Sequence, residues 1–206
     1  MRGLIRACPL RVGWVIRLRE VSGAAERGRS IEVAVASVVA STYAVLVVAL
    51  SPISFLHVQV RVADALIPLS MLLGWPAIVG VAAGCLVANL FAPWQQPLLV
   101  AVDAALGSLA NLAAGYASWR VYRLVRGRLG DGLALQVGCA VESAVVAAVV
   151  GTYLKYLLEA SMGLRVPLLA CVAGVLLGSL ISINLLGYLV ALALLGALSR
   201  RRGSAP

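Results

Sequence analysis

The run LLACVAGVLLGSLISINLLGYLVALALLGAL occupies residues 168–198 without a single charged side chain. Wound as a helix rising about 1.5 Å per residue it reaches about 45 Å, whereas about 20 apolar residues suffice to cross about 30 Å of bilayer hydrocarbon. Such a segment belongs in lipid, and the rest of the chain repeats the pattern. Towards the N-terminus, apolar stretches recur at 132–158, 98–122, 77–92, 60–74 and 31–50, separated by polar or proline-bearing breaks. Two of those breaks are Gly74-Trp75-Pro76 and Pro93-Trp94-Gln95-Gln96-Pro97, where proline removes a backbone donor and disfavours helix in the residue before it. The reading is an all-α membrane protein, a six-transmembrane-helix bundle with the N and C termini cytoplasmic.

Composition agrees. Hydrophobic residues make up 62% of the 206 and charged residues 12%, against about 25% charged in soluble domains, and the mean hydropathy is +1.01. A soluble catalytic domain, a nucleic-acid-binding module and a disordered tail are excluded as descriptions of the chain. The formal net charge of +9 therefore needs a different explanation from nucleic acid.

That explanation is orientation, because Lys and Arg are retained on the cytoplasmic side of membrane proteins. Arg2, Arg6, Arg11, Arg17, Arg19, Arg27 and Arg29 precede the first span. Arg120, Arg123, Arg126 and Arg128 follow the fourth, and Arg200, Arg201 and Arg202 follow the sixth. With six spans all fourteen fall on one face. The domain organisation expected is a basic cytoplasmic segment at 1–30, a transmembrane domain at 31–198 and a basic cytoplasmic tail at 199–206. Residues 1–30 suit a surface-lying amphipathic helix or a disordered basic tail. The first apolar stretch is too long for a usual signal core and runs on into Pro52, so it reads as a span and not a cleaved leader.

Arg61, Lys155 and Arg165 are left for the outer side, in company. Gln59, Arg61 and Asp64 begin the second span, Asn89 lies near the outer end of the third, and Asp103 opens the fourth. Lys155 and Glu159 close the fifth. An ionisable residue at membrane depth is costly unless paired or wet, so each marks a candidate site. Arg61 with Asp64, and Lys155 with Glu159, stand at helical spacings that also permit simple pairing. Asp103 and Asn89 have no such local partner and are the better candidates for touching a solute. Glu142, Asn111 and Asn184 lie deeper, where bonds between helices are the default.

Cys8, Cys85, Cys139 and Cys171 stand far apart, without metal-ligand spacing, and His57 is the lone histidine. Packing is the expected role of the cysteines; no metal or cofactor is expected. A phosphate-binding G-x-x-x-x-G-K-[ST] loop does not occur, so ATP hydrolysis would fall to another subunit. Small residues at four-residue spacing, Ala36/Ala40/Ala44, Gly80/Gly84 and Gly174/Gly178, mark faces for close helix approach.

Four ordered motifs carry a resemblance. Ser51-Pro52-Ile53-Ser54-Phe55, Val58-Gln59-Val60-Arg61-Val62-Ala63-Asp64-Ala65-Leu66, Gly84-Cys85-Leu86-Val87-Ala88-Asn89-Leu90-Phe91 and the stretch from Asp103 to Leu112 resemble the QueT transporter family over about residues 31–119. Asp64 stands where that pattern has a longer Glu, and Asn111 where it has Thr. The resemblance implies the substrate-binding S component of an energy-coupling factor importer for a queuosine precursor or related 7-deazaguanine, multi-pass in the cell membrane. It implies a transmembrane coupling subunit and two ATPase subunits as partners, docking through Ala36, Ala40 and Ala44. Residues 51–60 would gate the outer site. A deazaguanine presents a flat ring, carbonyl acceptors and N–H donors. Asp64 or Asp103 would accept from the donors, Asn89 or Gln59 would bond either way, and Phe55, Phe91 or Tyr153 would stack. An S component for another vitamin or nucleobase, and a non-transport structural membrane protein, are the competing readings. A membrane enzyme lacks an evident nucleophile and base.

Overall fold

The computed structural model describes residues 10–51 and 60–203, with side chains over 28–51 and 60–200, so Gln59, Phe55, His57 and most of the expected gate lie outside the described residues. The chain divides into two compact units, Met1–Ala34 and Val35–Pro206, the second of which holds every contact described below.

The first helix, α1, runs Leu10–Ala49 without interruption at residue 30. Between Pro9 and Pro52 no proline intervenes, and Arg and Glu are good helix formers, so the basic stretch continues the same helix. Next comes a 3-10 helix, Val62–Leu66, and then α2, Leu69–Leu73. The sequence reads as one helix over 60–74, but Pro68 cannot donate, and the turn tightens into i→i+3 bonds from Ile67 N to Asp64 O and Ser70 N to Ile67 O. Gly74, at φ 68, separates α2 from α3, Trp75–Asn89; that positive φ is cheap only for glycine.

Two long helices follow, α4 at Pro97–Leu129 and α5 at Asp131–Met162, joined through Gly130. The last span, expected whole, consists of α6, Leu168–Ser179, π-helical turns over Leu180–Gly187, and α7, Tyr188–Gly203. Asn184 in the π segment is drawn sideways to Ser143 Oγ and the Cys139 carbonyl of α5, and takes a bond from Gln136. Widened turns of this kind recur at functional positions in helices.

Among the described residues, four segments are long and apolar enough to cross a membrane: Gly28–Ala49, Pro97–Leu129, Asp131–Met162 and Leu168–Arg200. The apolar helices Val62–Leu73 and Trp75–Asn89 are shorter, about 18 and 22 Å at 1.5 Å per residue. No strand occurs among the described residues. Exposed Val38, Val45, Leu86, Val87, Leu109, Leu169, Leu177 and Leu185 present an apolar outer surface suited to lipid and not to water.

Small residues set the helix spacings. A methyl group on Gly80 would stand 2.8 Å from the Ala36 carbonyl, and one on Gly84 2.6 Å from that of Ala40, so α3 lies backbone to backbone on α1. Gly151 does the same against Val172, where a Cβ would meet its Cα at 2.6 Å. Ser108 Oγ donates to the Ala82 carbonyl at 2.9 Å and ties α4 to α3. The largest fully buried side chains include Tyr43, Ile67, Ile78, Leu135, Leu154 and Ile183.

Candidate functional site

Four of the sequence-nominated polar residues come together inside this packing. Arg61 and Asp64 are each 5% exposed, Asn89 0% and Asp103 2%, and each arrives on a different local feature. Arg61 caps the 3-10 helix and Asp64 lies within it. Asn89 is the last residue of α3, and Asp103 sits in the second turn of α4.

The side chains interlock from one element to the next. Asn89 Nδ2 donates to the Asp103 main-chain carbonyl at 3.1 Å. The Asp103 carboxylate accepts from Trp94 Nε1 at 2.7 Å on Oδ2 and from Tyr153 Oη at 3.0 Å on Oδ1. Asp64 Oδ1 accepts from Tyr43 Oη at 2.6 Å, and Tyr43 in turn accepts from Asn111 Nδ2 at 2.8 Å. Arg61 Nη1 approaches Cys85 Sγ at 3.6 Å, and its charge is felt by Tyr43, Asp64, Asp103 and Tyr153. Both carboxylates are within electrostatic reach of the Arg61 guanidinium. Among the described residues Asn89 Oδ1 has no hydrogen-bond partner, an uncommon state for a fully buried acceptor.

One face of α4 builds the floor. Asp103, Gly107 and Asn111 recur at four-residue spacing and are all buried, so they stack along a single stripe. Gly107 is where the neighbours converge: a Cβ there would lie 2.7 Å from Asn89 Nδ2, 3.2 Å from Tyr153 Oη and 3.3 Å from Cys85 Sγ. The missing side chain is what admits three polar atoms to the helix surface.

Sequence reasoning nominated Arg61, Asp64, Asn89 and Asp103 and missed Tyr43, Trp94, Cys85 and Gly107. The stripe Asp103-Gly107-Asn111 was readable from spacing. Trp94 and Tyr43 carried no local signal, since an aromatic in a proline-rich turn or an apolar span reads first as an interfacial or core residue. Phe91 is 67% exposed, unlike the buried residues of the cluster. Lys155 pairs with Glu159 at 3.0 Å, and Asn111 and Asn184 make the bonds between helices expected of them. Cys85, Cys139 and Cys171 are buried free thiols.

The small-residue face of α1 has an inner edge already in use. Ala36, Ala40 and Ala44 are half-buried, and the backbones of the first two receive Gly80 and Gly84. Ser37, Val38, Ser41 and Val45 beside them remain exposed.

Chemically the assembly offers carboxylate acceptors, a guanidinium, two phenols, an indole N–H and amides that bond either way, walled by apolar helices. The family model described as QueT transporter matches residues 33–195. No curated protein and no solved structure matches the chain.

Proposed function

Since the chain belongs to the QueT transporter family, we propose that it is the substrate-capturing S component of an energy-coupling factor importer for a queuosine precursor or related 7-deazaguanine. The convergence of Arg61, Asp64, Asn89 and Asp103 from separate segments into one buried cluster carries this reading. Two carboxylates beside one guanidinium make a site that, with both ionised, has an excess of one negative charge. It suits the adjacent N–H donors of a guanine-type edge. Asn89 Oδ1 supplies a further acceptor, and Arg61 addresses the ring carbonyl. Gln59 completes the proposed set from the gate segment.

In the membrane we place six spans, with Val62–Leu73 and its preceding residues as the second, Trp75–Asn89 as the third, and both termini in the cytoplasm of a multi-pass cell-membrane protein. The arginine clusters support this orientation. So does the aromatic group at the same end, where Trp75, Tyr116 and Trp119 lie 5.7 to 6.2 Å apart and Arg123 lies 5.1 Å over Trp119, as at a membrane interface. The coupling subunit docks along α1 at Ala36, Ala40 and Ala44, using the edge that α3 leaves open, and two ATPase subunits drive the cycle.

The test is binding of a radiolabelled 7-deazaguanine to the full chain in lipid nanodiscs. Saturable binding that weakens in Asp103→Asn and Asn89→Ala supports the assignment. Binding unchanged in both variants refutes the site, and absence of binding with capture of another nucleobase or vitamin moves the substrate class. Mutual satisfaction of Asp103 by Trp94 and Tyr153 favours the structural reading as runner-up; it predicts that Asp103→Asn lowers thermal stability while no ligand raises it.

A further inference from the structure

Glu142 lies outside the capture site, midway along α5, and is 0% exposed. Among the described residues neither of its carboxylate oxygens closes a hydrogen bond, and no Lys or Arg pairs with it. Two hydroxyls face it, from Ser70 on α2 and Ser118 on α4. Both are buried. They sit 3.4 Å from each other and reach the same Gly115 carbonyl, at 3.2 and 3.1 Å.

The proton count does not close. Hydroxyls that donate to Gly115 turn their lone pairs elsewhere, so the carboxylate and two serine oxygens form a nest of acceptors with one negative charge. If the serines turn their protons to Glu142 instead, the charge is still uncompensated. The other ionisable groups that act on it are Asp64 on the 3-10 helix and Cys139 on its own helix, and neither brings positive charge. An isolated carboxylate deep in an apolar bundle is among the costliest groups to bury.

We infer that Glu142, Ser70 and Ser118 form a buried binding site for one monovalent cation, a proton or an alkali-metal ion, between α2, α4 and α5. One positive charge neutralises the cluster, whereas a divalent ion would leave it in excess. For an alkali ion the carboxylate and two hydroxyls are hard oxygen ligands; for a proton, the carboxyl O–H gains a serine oxygen as acceptor. Because α2 continues from the 3-10 helix that carries Arg61 and Asp64, occupancy bears on the element that positions the capture site.

Thermal unfolding of the full chain in nanodiscs tests this, with sodium replacing choline at fixed pH in one arm and pH raised in choline alone in the other. Glu142→Gln keeps the shape and removes the charge. A wild-type melting temperature several degrees higher in sodium identifies the metal ion. One that falls at alkaline pH, indifferent to sodium, identifies the proton; in either case the response is lost in Glu142→Gln. Equal responses in both proteins, or no response in the wild type, overturn the proposal. Should Glu142→Gln fail to fold, Ser118→Ala serves: a sodium or pH midpoint moved about tenfold supports the site, and unmoved midpoints in both arms refute it.

Discussion

Asp103 is held by three neighbours, and its two carboxylate oxygens are not equivalent in their partners. Asp103→Asn replaces an ionised acceptor with an amide and weakens charge-assisted bonds of about 1.5–3 kcal/mol each. Ligand affinity should fall about tenfold to a hundredfold, as read by equilibrium binding. Tyr153→Phe removes one neutral donor and leaves Trp94 in place, so about 0.5–1.5 kcal/mol is lost, and the same titration should show less than about a tenfold change. An equal loss in both variants would mean that the charge itself plays no part. Gly107→Ala pushes into Asn89, Tyr153 and Cys85 at a cost of about 1–3 kcal/mol of overpacking. Because the atoms it meets are those of the site, binding should suffer more than the melting temperature does. Of these residues Asp103 and Asn89 were legible in the sequence, as polar groups without a local partner at a span end. The place of Gly107 on the Asp103–Asn111 stripe was readable from spacing, but Trp94 and Tyr43 were not, because their roles depend on which atoms arrive from other helices.

At the scale of elements, the decisive contact is α3 on α1. Gly84 allows the Ala40 carbonyl within 2.6 Å of where a Cβ would be and the Tyr43 Cβ within 2.8 Å. Gly84→Leu should force the helices apart and displace Tyr43 from Asp64, costing at least about 1–3 kcal/mol. The expected result is a melting temperature lowered by several degrees together with lost ligand binding; a normally stable, binding-competent variant would show that this approach does not position Tyr43. The Gly80/Gly84 spacing was visible as a small-residue motif, but spacing does not name a partner, and it is the fold that turns it inward onto Ala36 and Ala40. The break of the second span had its cause in view, since Pro68 lacks the donor that an α turn needs. The π segment in the last span had no such marker: Asn184 widens the helix by bonding to Ser143 and Cys139, partners more than forty positions away.

For the whole molecule, orientation and energy supply make separate predictions. A cysteine introduced at Gly127, where nothing lies within 4 Å of the new Cβ, should react with a membrane-impermeant thiol reagent only after permeabilisation. One at exposed Leu164 should react in intact cells. The reverse pattern would invert the proposed topology. Uptake of a labelled 7-deazaguanine into vesicles should require coupling and ATPase subunits as well as this chain, and accumulation by this chain alone would argue for a self-sufficient carrier.

By itself the sequence determined that this is a helical membrane protein, because apolar runs of membrane length and clustered arginines are one-dimensional quantities; the transporter family came from the resemblance of its ordered motifs. The sequence also placed the polar residues that belong to no local pair. Only the tertiary structure decided which of them meet. Hydrogen bonds of Asp103 to Trp94 and Tyr153, of Asp64 to Tyr43, and the burial of Glu142 between Ser70 and Ser118 depend on where helices cross. Crossing points are set by glycine contacts and by breaks such as Pro68 and Gly74; the glycine spacing is visible along the chain, but the partners it meets are decided only where the elements combine in three dimensions.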